Sequence, residues 1–337
     1  MEARLRLTAL LGGFTVTQML YVVARLNLAD HIAAGPMTIE QLAGECGAKA
    51  DPLRRIVRAL AAFGVFEFQD DGLVANTPLS ACLRTGAPHS LRDAALVYGE
   101  EHYHAMSELL QAVKRGGTAF EHAYRKPHFT YLASNPDAAH TYYDATRAAT
   151  AKSADAVVEA YDFTHAATVV DVGGGDGQLI RAVLRANPGV AGILVESAGL
   201  ARKARARIHA AGLDERCEVQ TGDVFEAVPR GGDIYLLAHV VHALDDHRAL
   251  CVLRSIRRSM GSDARLLVIE RLVPDQPEAN LSAQQTFVSD AVAMAISGGR
   301  ERTLAEHAAL LAGAELRVVH VRETSWTGAI IEAAARH

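Results

Sequence analysis

The chain has 337 residues, half of them apolar, and a formal net charge of -5, enough apolar mass for two cores and no basic field that would draw it to a phosphate backbone. No 18-residue stretch lacks polar breaks, which argues against a membrane partner, and Met1-Glu-Ala-Arg4 opens no compact hydrophobic signal segment, so a cytoplasmic protein is expected. Cys46, Cys82, Cys217 and Cys251 are scattered without a Cys-x-x-Cys pair and read as ordinary thiols, neither bridges nor zinc ligands.

In chain order, residues from Leu5 to about Val158 read as helical. Phe14 to Leu28 carries apolar residues at spacings of three and four and is predicted to be one helix. Thr38 can cap the next, with Gln41 at the capping-box position. Asp51-Pro52 opens a third helix with Leu53, Ile56, Val57, Leu60 and Phe63 on its apolar face, and Gly64 stops it. Phe66 to Val74 alternates as strand, turn and strand, so residues 38 to 77 spell a winged helix-turn-helix. Standing alone, that module and Arg54, Arg55 and Arg58 would suggest DNA; the acidic surroundings and the enzyme-like half that follows favour dimerisation or substrate enclosure, with no nucleic-acid partner. Residues 90 to 160 continue as helices rich in rings, among them Tyr98, His102, Phe120, His128, Tyr131 and Tyr142. Single rings at helical spacing usually serve a core, but the cluster can also wall a pocket for a flat aromatic ligand. His102 and His104 sit two apart and do not face one site on a helix, which argues against metal there.

From Tyr161 the pattern changes to strand-helix alternation. Strands are predicted at 168–172, 192–196, 216–220, 233–238, 264–270, 315–322 and 327–332, and helices at 178–187, 199–211, 247–259 and 303–312. This is the α/β class, an open, mostly parallel, doubly wound Rossmann-like sheet whose last two strands form an antiparallel hairpin. Three regions follow: winged-helix dimerisation over 1–90, helical substrate binding over 91–160, and a cofactor-binding catalytic domain over 161–337. Ligands of such sheets lie beyond the carboxyl ends of the strands, so the residues after 172, 196, 221 and 238 should converge.

The first strand of this half runs into Gly173, Gly174, Gly175 and Gly177, where backbone can approach a ligand closely. The G-G-G-x-G spacing is neither that of a dinucleotide binder nor that of a P-loop, and it points to a nucleoside attached to something small. Glu196 ends the next strand, placed to accept both ribose hydroxyls. Asp223 is placed to meet the exocyclic amine of an adenine, with Val224 and Phe225 against its faces, although Gly-Asp by itself is only a turn. The fourth strand leads through His239 to His242, which at the strand mouth could take a proton from a phenol; His239 packs structurally or touches the cofactor. Glu270 closes the next strand at the same edge and can fix the tautomer of His242. Glu301 is a second acidic candidate, competing with a plain surface ion-pair cluster because Arg300 and Arg302 flank it.

Taken together, Asp171-Val-Gly-Gly-Gly-Asp-Gly177, Gly222-Asp-Val-Phe225, His242 and Gly298-Gly-Arg-Glu-Arg-Thr303 resemble the S-adenosylmethionine-dependent O-methyltransferases of small molecules. That group includes plant caffeate and flavonoid methyltransferases and bacterial enzymes tailoring phenazines, anthracyclines and other aromatic polyketides. The resemblance covers nearly the whole chain. It implies that Asp171 and Gly173, with Gly175 in the same loop, hold the methionine portion of S-adenosylmethionine, that Glu196 takes the ribose, and that Asp223, Val224 and Phe225 frame adenine. Ala238 and His239 would touch the cofactor, and His242 would be the general base with Glu270 and Glu301 as acidic companions. A small aromatic substrate, a homodimer through the N-terminal helices, and no requirement for metal are implied as well.

The chain also departs from that family. Where it commonly reads Lys-His or Lys-Trp, two apolar positions, then His-Asp-Trp, this chain has Ala238, Ala243 and Leu244 in place of the lysine, aspartate and tryptophan. The frequent Phe-Asn-x-Ala-Met appears as Tyr143-Asp-Ala-Thr-Arg147. These changes keep N- or C-methyl transfer, or a non-methylating hydroxylation, decarboxylation, cyclisation or rearrangement, as alternatives to O-methyl transfer.

Overall fold

The computed structural model describes residues 2–87, 90–276, 279–326 and 328–336. They form two compact units, Met1–Lys114 with Ala119–Ala149 and Arg115–Thr118 with Thr150–His337. Among the described residues no single helix is long and apolar enough to cross a membrane; Glu2–Leu11 and Gly13–Arg25 pass that test only as a pair bent by 43°.

The first unit gathers short helices around Leu28, Leu42, Leu53, Val57, Leu60, Phe66 and Val74, all buried. Helix Ile39–Glu45 starts at the expected capping box, with Thr38 and Gln41 each satisfying the other's backbone N–H. Helix Ala50–Ala62 then leads to the hairpin of β1 (Phe66–Phe68) and β2 (Val74–Asn76). Arg54 on that helix is paired with Glu40 of the preceding one. Two expectations need correction. The helix read over 14 to 28 ends at Arg25 and restarts at Leu28, because Asn27 takes a left-handed φ of 52°, which Asn tolerates better than most residues. Phe63 lies beyond its helix and is 58 % exposed, so it does not belong to the buried face. The second half of this unit, from Arg92 to Ser134, packs helices around a ring cluster: Phe120 stacks on Tyr124 at 4.4 Å and meets His128 and Tyr131 edge-on. His102 and His128 are buried there and burial lowers their pKa values to about 4 and about 3, so both are neutral.

The second unit is built on a seven-stranded sheet: β3 (Thr168–Val172), β4 (Ala191–Glu196), β5 (Cys217–Thr221), β6 (Ile234–Ala238), β7 (Arg265–Glu270), β8 (Leu316–Glu323) and β9 (Ala329–Ala335), in the order β5-β4-β3-β6-β7-β9-β8. The first five strands pair in parallel, and β9 runs antiparallel to both β7 and β8. The hairpin expected at the C-terminus is therefore present, inserted so that its second strand is the inner one; position 327 of the expected span lies outside the described residues. The central strand β6 is covered on both faces, which explains why it is apolar at every position. Along β6, Ile234 and Leu236 enter the core with helices Gln178–Ala186 and Ala198–Ala210, while Tyr235 and Leu237 enter the one with helices Asp246–Ser259 and Leu304–Gly313. From β3 the chain moves outward to β4 and β5 and then returns to β6, so the order reverses beside β3 and leaves a crevice at the carboxyl ends. Helix Leu281–Ile296 was not expected from sequence. Its Leu281, Val288 and Met294 are exposed while Ala283 and Thr286 are buried, so no apolar stripe marks it.

Candidate active site

At the end of β3, Asp171 is fully buried and lies directly under the glycine-rich turn: a Cβ on Gly174 would fall 2.3 Å from its Oδ2. Neither carboxylate oxygen makes a full hydrogen bond among the described residues, although the Ile180 amide, in the first turn of the following helix, favours the anion. Burial, with the nearby charge of Glu196, raises its pKa to about 7. Gly175 has φ 60° and open space where a side chain would stand, and its N–H donates to Glu196 Oε2 at 3.2 Å. Glu196 Oε1 accepts from the Ser197 N–H at 2.6 Å, so the acid at the end of β4 is aimed by two backbone donors across the glycine turn. A cradle without side chains, edged by two carboxylates in low-polarity surroundings, fits a ligand that carries positive charge and a diol.

Asp171 also supports a stability prediction. A buried carboxyl whose folded pKa lies above its unfolded value of about 3.9 binds protons more tightly in the native state. Its penalty is therefore fully present above pH 7 and is relieved as pH falls toward 4. Asp171→Asn should raise the melting temperature of the ligand-free protein at pH 8 and leave it nearly unchanged at pH 4.5; equal melting temperatures at pH 8 would contradict the buried-charge reading.

After β5, Asp223 is exposed and accepts the Phe225 N–H at 2.9 Å, closing a turn that leaves the rest of the carboxylate free to face a ligand. Val224 and Phe225 are half-buried against the core. The Arg248 guanidinium lies 4.8 Å from the centre of the Phe225 ring, so a ligand can use only the ring's other face.

Beyond β6 the two histidines have opposite surroundings. His239 is held at φ 57°, its N–H bonded to Ile269 O and its ring edge-on to Trp326 at 4.9 Å. The Ser153 hydroxyl lies 2.8 Å from His239 Nε2 and 2.9 Å from Thr150 O, so it fixes the ring by a hydrogen bond to Nε2. Burial drops the pKa of His239 to about 4 and keeps it neutral. His242 follows in the single 3-10 turn Val241–Ala243. Its Nδ1 is 2.8 Å from Glu270 Oε2 and its backbone N–H donates to Glu270 Oε1, so both oxygens of one buried carboxylate orient this residue. Burial works against the charged imidazole, but the Glu270 carboxylate and its hydrogen bond outweigh it and push the pKa up to about 9, while His242 holds Glu270 down to about 2. The His242 side chain keeps 32 % exposure, and Nε2 is left to face a ligand.

Glu301 is buried, its Oε1 accepting from Ser289 and its Oε2 without a hydrogen-bond partner among the described residues; burial raises its pKa, partly offset by the charge of His242. It does not pair with its neighbours in sequence. Arg300 pairs with Asp246 and Glu306 at the surface and Arg302 is buried against Asp246, so the expected surface ion-pair cluster is present around Arg300 but does not include Glu301. His239, His242 and Glu270 gather ligand atoms within 4.8 Å of one another, although sequence suggested no metal. Ala238 ends β6 beside these groups, and Leu244 is buried in the core rather than turned to a ligand. Sequence reasoning missed Ser153, Arg248 and Trp326; only the last carried a signal, as the one tryptophan of the chain.

The chain matches an O-methyltransferase domain over residues 106–317 and an O-methyltransferase dimerisation domain over residues 8–86. It is 38 % identical to a phenazine O-methyltransferase, PhzM, of Lysobacter antibioticus, covering 97 % of this chain and 95 % of that one. A crystal structure of LaPhzM superposes with a TM-score of 0.94 at 38 % identity over 99 % of both chains. The O-methyltransferase NcsB1 from neocarzinostatin biosynthesis, solved with S-adenosylmethionine and 2-hydroxy-5-methyl naphthoic acid, superposes with a TM-score of 0.83 at 30 % identity over 95 % of both chains.

Proposed function

The chain belongs to the S-adenosylmethionine-dependent O-methyltransferases, and we propose that it methylates a phenolic or enolic hydroxyl of an aromatic secondary metabolite with His242 as general base. The observation that carries this reading is the 2.8 Å contact of His242 Nδ1 with buried Glu270, which leaves Nε2 as the proton acceptor at the mouth of the sheet. Bound S-adenosylmethionine supplies a methyl group already activated on a sulfonium, so an attacking oxygen receives it directly and S-adenosylhomocysteine leaves.

The residues of this chain do the rest. Asp171, Gly173 and Gly175 receive the methionine portion, Glu196 the ribose, and Asp223 with Val224 and Phe225 the adenine; Ala238 and His239 flank the cofactor. His242 Nε2 takes the hydroxyl proton, and Glu270 stabilises the imidazolium that results. Glu301 adds negative charge on the same side. Orientation of the hydroxyl accounts for most of the acceleration, and proton removal adds a smaller push. The N-terminal region 1–90 forms the homodimer and residues 91–160 receive the substrate, its ring cluster suiting a planar molecule. A cytoplasmic location fits four cysteines that are all free.

The pH profile follows from the Glu270 contact. The neutral imidazole is the base, so kcat/KM should rise with pH through an apparent pKa near the value of about 9 that Glu270 imposes. In Glu270→Gln the counter-charge is gone while burial remains, so the limb should move to lower pH, toward or below about 6.5, and the plateau should fall because the imidazole is a weaker base. An unmoved limb would separate Glu270 from the titration of His242.

The test of the function is product mass. The protein is incubated with S-adenosylmethionine and a panel of hydroxylated phenazines and naphthoates. Gain of one methylene unit on oxygen, with one S-adenosylhomocysteine per turnover, supports the reading. Methyl on nitrogen or carbon, or conversion without methylation, would establish the alternatives that Ala238, Ala243 and Leu244 raise.

A further inference from the structure

Arg302 is the largest fully buried side chain among the described residues, 1 % exposed, and it lies against the turn that carries His242. A guanidinium has five N–H donors, and all five are used: Nη1 to Val241 O and Arg300 O, each at 2.9 Å, Nη2 to Leu244 O at 2.9 Å and Asp246 Oδ1 at 2.7 Å, and Nε to Asp246 Oδ1 at 3.1 Å. The Arg300 N–H donates to His242 O at 2.8 Å. The carbonyls of Val241, His242 and Leu244 are thus all held by the segment 300–302. That segment is itself fastened to the chain just past Glu270: Val273 N–H donates to Arg302 O at 3.0 Å, and Leu272 bridges Arg302. Gly299 completes the fit, since a Cβ there would fall 2.1 Å from His242 O.

His242 and Glu270 leave the ends of two different strands, and a single 3-10 turn has little rigidity of its own. Burying a guanidinium is costly unless its partners are well placed, and an apolar side chain would fill a core at lower cost. We propose that Arg302 is a positioning residue for methyl transfer: its guanidinium ties the His242 turn to the strand extension that carries Glu270. The proposal rests on the reading of His242 as the base.

Arg302→Lys keeps the charge and can still meet Asp246, but one ammonium cannot span the carbonyls of Val241 and Leu244. With the best acceptor of the phenazine and naphthoate panel, kcat should fall roughly tenfold or more. The affinity for S-adenosylhomocysteine should stay within about twofold, and the pH limb should move toward lower pH as the Glu270 contact loosens. Asp246→Asn, at a half-exposed side chain, weakens the anchor while leaving the carbonyl bonds in place, and should shift kcat and the limb in the same direction by a smaller factor; it decides the matter if Arg302→Lys does not fold. Unchanged kcat and pH limb in the variant that folds would overturn the proposal. So would a loss in which S-adenosylhomocysteine affinity falls in step with kcat and the limb stays put, the mark of a merely structural role. His242→Gln is measured alongside: if it turns over like the wild type, the base assignment falls; if it is inactive while Arg302→Lys is unaffected, only the positioning role falls.

Discussion

His242→Ala should lower kcat by about 10²–10⁴-fold, the usual span for a general base, and leave the affinity for S-adenosylhomocysteine nearly unchanged. The separation follows from the geometry. His242 spends Nδ1 and its backbone N–H on Glu270, so the only polar atom it can offer a ligand is Nε2, which is placed for the acceptor. The residual rate should be substantial, because a sulfonium methyl is activated before any protein group acts and the oriented hydroxyl retains most of its advantage. Raising the pH should recover part of the loss by ionising the acceptor in solution. Steady-state kinetics at pH 7 and 10, with calorimetry on S-adenosylhomocysteine, checks all three parts; an unchanged kcat removes His242 from the reaction.

The second large effect is expected at Gly174→Ala. The added Cβ would fall 2.3 Å from Asp171 Oδ2 and 2.4 Å from its Cγ, and Asp171 is fully buried at the end of a central strand with nowhere to retreat. Overpacking of this kind costs ~1–3 kcal/mol. The turn, not the strand, is the part able to yield, so the cost should appear as displacement of the glycine loop and a fall of roughly 10–100-fold in S-adenosylhomocysteine affinity. Gly189→Ala is the control, since nothing lies within 4 Å of a Cβ there and its backbone is not left-handed. Equal affinities for the two variants would show that the glycine turn at 173–175 does not hold the cofactor.

Much of the site was legible because its parts sit at strand ends, and strand ends are read from short windows. Gly173 to Gly175, Glu196, Asp223, His242 and Glu270 all lie within a few residues of a carboxyl end. Parallel register then brings them to one edge. Glu301 was legible as a residue but its surroundings were not. Flanking arginines suggested solvent, yet Arg302 folds inward and Glu301 accepts from Ser289, twelve positions upstream. The helix 281–296 escaped for a related reason: a helix that exposes Val288 and Leu281 while burying alanine and threonine has no periodic stripe to detect.

The amino-acid order alone determined the fold class, the capping box at Thr38, the glycine turn after Val172 and the identity of the candidate base, because each is encoded in neighbouring residues and in the backbone geometries they permit. Charge state was decided only by the tertiary structure. His239 and His242 stand three residues apart, yet one is driven down to about 4 and the other up to about 9. Ser153 and Trp326 surround the first and Glu270 holds the second, groups from 28 to 87 positions away along the chain. A side chain's proton affinity is set by burial and by the charges beside it, and neither exists until the strands have paired.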